Sequence, residues 1–327
     1  MLEPANSEEN PTLATVARTL ILDGLAAESI SALQTRGIRA LLLKGPVTSR
    51  WLYAGWRFRD YVDVDVLVAP SDFLRASQTL TELGFRDTQA DRSANELVPH
   101  ANTFVVGGRL LARFPAGLPL DLHCNFHGVQ ASDGVFWTLA GASAERMRVA
   151  GVDVETPSEA MRTLLVALHA ATSGPFAVQQ LVDLDRTLEL LPDETWSAAH
   201  DLAVQLDAVP RFVAGLTMRP QGLELVERLG FETRMDVSGA LRALGIPPVA
   251  EGIERLRTTS GVRGRARLVA RELIPTPSFM RAWSPLARRG AVGLGLAYVG
   301  RPFWLLRKLP AALRAHRRAR QVAKARD

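Results

Sequence analysis

Residues 61–68 read Tyr-Val-Asp-Val-Asp-Val-Leu-Val, with apolar and acidic residues alternating over the first half. A period of two marks a strand with one polar and one apolar face, which sets Asp63 and Asp65 on the same side, ~7 Å apart at their Cα atoms. Carboxylates that close repel unless a cation or solvent lies between them. Hard cations such as Mg²⁺ are held by one or two carboxylates plus substrate phosphates, and a metal pair steadies the attacking and leaving oxygens in phosphoryl transfer. An edge strand with a solvated face carries the same short pattern, so the flanking sequence has to decide between them.

Upstream, apolar residues at helical spacing over 11–36 (Leu13, Val16, Leu20, Ile21, Leu25, Ile30, Leu33) predict one long helix closed by Gly37. Ile38–Leu43 has the length of a buried strand and runs into Lys44-Gly45-Pro46, after which a helix is expected over about 47–54. Pro70-Ser71-Asp72 opens a helix that Gly84 closes. Thr103–Phe114, broken at Gly107-Gly108, reads as a hairpin, and Leu118–Asn125 as a further strand. From Pro157 onward the pattern is helical, over roughly 157–172, 176–191, 194–208, 221–230 and 236–244. The expected architecture is α/β in the α+β sense: a small mixed sheet with flanking helices, followed by an all-helical C-terminal part. The division follows as 1–150, 151–260 and a basic helical extension over 261–327.

With 327 residues, 47% hydrophobic and 22% charged, the chain has material for two domains and is neither disordered nor fibrous. Its sole cysteine, Cys124, excludes a disulfide framework and a four-cysteine zinc site and is expected as buried packing. The polar, acidic start lacks the basic and apolar regions of a secretory signal, so a cytoplasmic location is expected. The longest uncharged stretch near the C-terminus, Gly290–Gly300, is 11 residues, well short of a membrane span.

Three features beside the acidic strand favour the cation. The Lys44-Gly45 turn ends a strand where a lysine and backbone N–H groups can meet phosphate. Arg57 and Arg59 offer guanidinium donors, and Leu120-Asp121-Leu122-His123 brings a third carboxylate in a later strand. His123 shares the face of Asp121 and is equally suited to proton transfer or a structural hydrogen bond. His100 and His127 read as surface or packing residues, His169 as a core or interface histidine, and Asp183 and Asp185 as capping or salt-bridging acids. Trp51, Tyr53 and Trp56 suit a core better than a base-stacking platform.

The order strand, glycine turn, helix, Asp-x-Asp, third Asp resembles the nucleotidyltransferase superfamily typified by DNA polymerase beta. More narrowly, Leu43-Lys44-Gly45, Arg59-x₃-Asp63-Val-Asp65, Leu83-Gly84-Phe85, Leu120-Asp121-Leu122-His123, Pro157-Ser-Glu159 with His169, and Val182-Asp183 are similar to the bacterial "uncharacterised nucleotidyltransferase" family. The resemblance implies Mg²⁺, in a two-metal site, held by Asp63, Asp65 and Asp121. It also implies transfer of a nucleoside monophosphate from an NTP, taken as ATP, onto an acceptor with loss of pyrophosphate. Asp121 would help activate the acceptor hydroxyl, Gly45 would receive phosphate, and Lys44, Arg59 and His123 would line the nucleotide site. The superfamily follows its glycine with Gly or Ser; here Pro46 removes one N–H donor, which Ser49 or Lys44 would replace. The acceptor is open among metabolites, sugars, peptides or proteins and RNA ends, and the alternative to an enzyme is an inactive nucleotide- or partner-binding module.

Charge is unevenly spread: residues 261–327 hold 16 bases and two acids, a net +14, against 23 bases and 32 acids before them, a net −9. Packing on the chain's own acidic part, peripheral contact with an anionic membrane, and, third, nucleic-acid binding are the expected uses of the basic segment.

Overall fold

In the computed structural model, which describes residues 12–54, 58–88, 101–231, 241, 248–259, 261–275 and 277–325, Thr12 caps the first helix by accepting the Thr15 N–H at 3.2 Å. Helix α1 (Leu13–Thr35) buries Leu25, Ile30 and Leu33 of the expected stripe, together with Leu22, whereas Leu13 and Leu20 of that stripe are exposed. Strand β1 (Ala40–Leu42) and helix α2 (Pro46–Leu52) follow, then β2 (Val64–Val68), a 3₁₀ turn at Pro70–Asp72, and α3 (Phe73–Leu83), which Gly84 ends with a left-handed φ of 120°. Strands β3 (Phe85–Asp87), β4 (Ala101–Val106) and β5 (Pro119–His123), helix α4 (Asp133–Ala142), and strands β6 (Glu145–Val149) and β7 (Val152–Thr156) complete the sheet.

The described strands form one seven-stranded mixed sheet in the order β3-β4-β5-β2-β1-β7-β6, with β2–β5 and β1–β7 parallel and the other pairs antiparallel. One face is dry. Val64, Val66, Val68, Leu120 and Leu122 enter the same core as the buried side of α1, each large side chain contributing ~1.5–3 kcal/mol by leaving water. The period of two then sends Asp65, Asp121 and His123 to the opposite face.

One sequence expectation changes. Only the first arm of the Thr103–Phe114 hairpin is a strand; Gly108–Ala112 is a 3₁₀ turn, and β4 pairs with β5 instead. Gly108 (φ 48°) lies against the Gly84 backbone, and the turn drops Leu110 into the core while leaving Leu111 exposed. The β6–β7 hairpin is an addition. Its turn is Ala150-Gly151, both at positive φ, and its signal was the alternation of Met147 and Val149 with Val152 and Val154.

A buried network joins α1 to the strand edge. Asp23, 6% exposed, accepts from the Tyr61 hydroxyl and from Arg50 Nη2 at 2.6 Å. Burial, reinforced by Asp23, pushes the Tyr61 phenol up and keeps it neutral. Asp23→Ala strands a buried hydroxyl and a guanidinium; a loss of about 3 kcal/mol is expected in denaturant unfolding, and Asp23→Asn should recover part of it.

Among the described residues the chain divides into two compact units, one of those up to Thr88 with 101–163 and Leu190–Asp207, the other of Leu164–Glu189 with those from Ala208 onward. Helix α5 (Glu159–Ser173) begins in the first unit, and α7 (Asp193–Gln205) belongs to it. The second unit is helical: most of α5, α6 (Val178–Leu190), α8 (Val209–Leu216), α9 (Pro220–Leu229), α10 (Pro248–Thr258), α11 (Val262–Leu273), α12 (Pro277–Trp283) and α13 (Gly290–Ala325). Gly215 lets α8 touch α5, since a Cβ there would fall 2.1 Å from the Ala167 carbonyl oxygen. The expected helix over 236–244 lies outside the described residues apart from Leu241.

One side of α13 packs within this unit. Ala312 and Ala319 join Ala250 of α10 and Ala171 of α5, and His316 meets Glu254 Oε2 at 2.6 Å. Among the described residues no helix is long and apolar enough to cross a membrane.

Candidate active site

Parallel pairing of β2 with β5 sets Asp65 directly opposite Asp121, on the face away from the core. Two carboxylates brought into register by backbone ladders cannot move apart without breaking the sheet. The repulsion is partly answered by the chain itself: Lys44 Nζ lies 3.0 Å and His123 Nε2 2.8 Å from the same Asp65 oxygen, Oδ1. Asp65 is 2% exposed at its side chain and Lys44 19%, so this is an ion pair out of bulk water.

Burial alone would raise the Asp65 carboxyl, but the Lys44 ammonium and the His123 hydrogen bond outweigh it and hold it well below the usual carboxylate range. Ionised Asp65 only accepts, so His123 Nε2 carries the proton in that bond. Burial likewise disfavours the Lys44 ammonium, yet the charges of Asp65, Asp63 and Asp121 hold its pKa above normal. Among the described residues no cation lies as close to Asp63, half-buried one position before β2: burial first, then Asp65, pushes it up to about 6.

Among the described residues, Asp65, Asp121 and His123 bring ligand atoms within 4.8 Å of one another. Asp65 Oδ2, Asp121 Oδ1 and His123 Nδ1 are buried with no hydrogen-bond partner. Buried polar atoms left unmatched are rare, and two carboxylate oxygens together are the donor set of a hard divalent cation. The residues therefore fit a divalent cation. Asp63 stands outside the 4.8 Å group and acts on it through charge.

Gly45 follows Lys44 at φ 55°, ψ −104°, a conformation open to glycine, and a Cβ there would lie 3.2 Å from the Asp63 carbonyl oxygen and 3.3 Å from the Tyr61 ring. The turn is thus packed directly against the segment that leads into β2. Pro46 takes the first position of α2, where its missing N–H breaks no helical bond, while the Val47 and Ser49 N–H groups bond to the Lys44 and Gly45 carbonyls at 3.2 and 3.0 Å. Ser49 is half-buried on α2. Arg59 is buried, donates from Nη1 to the Asp60 carbonyl at 3.4 Å, and lowers the Asp63 pKa by its charge. Arg57, Trp56 and His100 lie outside the described residues.

Other residues take structural parts. Trp51 Nε1 donates to Glu159 Oε1 at 3.1 Å, with the Arg162 guanidinium 4.9 Å from its ring centroid, and Tyr53 is buried. Cys124 is buried, and burial followed by the nearby Asp133 charge pushes its thiol up to about 12, so it is inert packing. Asp183 accepts from Gln179 at 3.0 Å and Asp185 from Arg219 at 2.6 Å. Phe126, which the sequence did not single out, lies with its ring centroid 5.4 Å from Lys44 Nζ and so backs the ammonium with a π face. Its signal was its place three residues beyond His123, at the end of β5.

Residues 9–221 match the family described as uncharacterised nucleotidyltransferase. The chain belongs to this family. No curated protein matches the nucleotidyltransferase chain in sequence. Similar solved structures include the antibiotic-resistance factor ANT(2'')-Ia in solution, at 15% identity over 59% of this chain and 95% of that one, with a TM-score of 0.38. A crystal structure of ANT(2'')-Ia with adenylyl-2''-tobramycin has 13% identity over 56% and 97%, and a nucleotidyltransferase-like antigen from Paracoccidioides brasiliensis has 13% over 59% and 94%, both with TM-scores of 0.38. Family membership rests on the match over residues 9–221.

Proposed function

We propose that the chain is a divalent-cation-dependent nucleotidyltransferase, moving a nucleoside monophosphate from an NTP, ATP first, to an acceptor hydroxyl or phosphate with release of pyrophosphate. The observation that carries this is the in-register Asp65–Asp121 pair, whose buried oxygens lack partners beside a lysine held in its charged form. Asp65 Oδ2 and Asp121 Oδ1 would hold Mg²⁺, with Asp63 joining them once deprotonated. Bound Mg²⁺ would supply neutralisation of triphosphate charge and orientation of the reacting phosphate. Lys44 and His123 hold one Asp65 oxygen, which leaves the other free for the cation, and Lys44, Gly45, the Ser49 hydroxyl and Arg59 would meet the triphosphate. Asp121 is proposed to take the proton of an acceptor hydroxyl.

The test is transfer of label from α-labelled NTPs, each with Mg²⁺, to fractionated metabolites, peptides and RNA, with pyrophosphate measured alongside. Transfer that survives in both Asp63→Asn and Asp65→Asn would falsify the site. A second possibility, Mg²⁺-dependent NTP binding without turnover, is favoured by Pro46, since neither it nor the two N–H groups committed to Lys44 and Gly45 can donate to phosphate. Calorimetric NTP binding that never yields pyrophosphate would select it. The three mutually repelling acids weigh against it.

A pH effect follows from Asp63. Its proton must leave before it can join a cation, so Mg²⁺ affinity by calorimetry is expected to be flat above pH 7 and to fall about tenfold per pH unit below about 6. Asp65, held ionised, does not titrate in that window. A flat profile down to pH 5 would remove Asp63 from the ligand set.

A further inference from the structure

We propose that the outward side of α13 is a docking face for an anionic lipid bilayer, its apolar half entering the headgroup–acyl boundary and its basic half pairing with lipid headgroups. The helix has a packed side, where Ala297, Arg301, Ala312, His316 and Ala319 are all buried. On the opposite side Val292, Leu296, Val299, Phe303 and Leu306 step by four and three residues, which is one helical stripe, and each is between 56 and 78% exposed. At 1.5 Å per residue the stripe is ~21 Å long. Such a row of large apolar side chains in water is unusual in a chain whose other exposed apolar residues are mostly scattered.

The same side turns basic toward the C-terminus. Arg307, Arg314, Arg317, Arg318 and Arg320 are exposed, α13 contains no acid, and among the described residues none of the five is paired with one. The occupant must therefore satisfy apolar side chains and cations along one face. A second copy of α13 does not: parallel pairing sets the arginines against each other, and antiparallel pairing sets them on the partner's apolar stripe. Nucleic acid neutralises the arginines but leaves Val292 to Leu306 in water. An anionic bilayer answers both, with apolar side chains buried ~5–10 Å deep and Arg heads among the headgroups. The face is independent of the acidic site, so this proposal stands or falls apart from the transferase one.

The test is co-sedimentation of the full chain with phosphatidylcholine vesicles and with vesicles containing about 30% phosphatidylglycerol, at low and high salt. The chain is expected to bind the anionic vesicles at least ~10-fold more tightly than the neutral ones, with binding weakened by salt. Leu296→Ser/Phe303→Ser and Arg314→Ser/Arg317→Ser/Arg318→Ser are each expected to reduce binding by ~10-fold or more while circular dichroism stays unchanged, because all five side chains are exposed. Failure to bind anionic vesicles overturns the proposal, as does full binding by the apolar variant. A concentration-dependent dimer that the apolar variant abolishes would assign the face to a second copy. Tighter binding to a single-stranded oligonucleotide than to vesicles, unchanged by the apolar variant, would assign it to nucleic acid.

Discussion

Asp63→Asn is expected to abolish transfer while raising the melting temperature of the metal-free protein at pH 7, whereas Asp65→Asn abolishes transfer and lowers it. The same chemical change two residues apart has opposite effects on stability because the two carboxyls are paired differently. Asp63 titrates at about 6 in the fold, above its ordinary 3.8, so its favourable contribution is complete below pH 3.8 and lost as pH rises through 6. At pH 7 the ionised group is a net cost. The two-unit gap corresponds to about 3 kcal/mol, which partial exposure reduces to roughly 1–2. Asp65 is shifted the other way, so its contribution is present above pH 3.8 and lost only as pH falls well below that. Its removal leaves Lys44 and His123 without their shared acceptor. Scanning calorimetry at pH 7 and pH 4 should show the Asp63→Asn gain shrinking at the lower pH. Mg²⁺ should stabilise the wild-type chain and neither variant. Transfer in both should fall by roughly 10³ or more. A lower melting temperature for Asp63→Asn at pH 7 would show that its charge is already neutralised by the protein.

Gly45→Ala carries the second large effect. The residue sits at φ 55°, ψ −104°, and its added methyl would press on the Asp63 carbonyl and the Tyr61 ring. Backbone strain of ~1–3 kcal/mol combines with a contact that cannot relax freely, because Tyr61 is held by Asp23 and the Asp63 backbone leads directly into β2. Unfolding free energy is expected to drop by about 2–4 kcal/mol, and transfer to fall well beyond the fraction unfolded, since the displaced segment carries Asp63 and leads into the strand of Asp65. Gly117→Ala, at φ 80° with open space around the added carbon, is the control: it shares the positive φ without touching the acids. Equal loss of transfer in the two variants, corrected for unfolding, would remove the Gly45 turn from the site.

Much of the site region was legible because its strands are short, apolar and strictly patterned. Alternation at Val64-Asp65-Val66 and Leu120-Asp121-Leu122 marks one apolar and one polar face, and the sheet keeps both, although packing buries Asp65 on the polar one. The 3₁₀ turn at Gly108–Ala112 was not legible, since a glycine pair followed by Leu-Leu fits a hairpin equally well until the Gly84 backbone is found against it. Strands β6 and β7 mix charged residues into their alternation, and β7 gains its place by pairing with β1, which lies over a hundred residues earlier. Lys44 was expected to face phosphate; its ion pair with Asp65 depends on how β1 and β2 lie side by side. His123 was balanced between chemistry and structure, and the fold turns its Nε2 onto Asp65.

The sequence by itself determined which residues are acidic, which side of each strand they occupy, where glycine is required and that the C-terminal segment is basic, because period, residue chemistry and backbone freedom are local properties. Tertiary structure alone decided that Asp65 and Asp121 stand opposite each other, that Asp65 is paired with Lys44 and His123, and that the apolar and basic residues of α13 share an outward face. Strand register, burial and the packed side of a helix arise from contacts between distant segments, and those are what set a carboxylate's charge and leave a surface open.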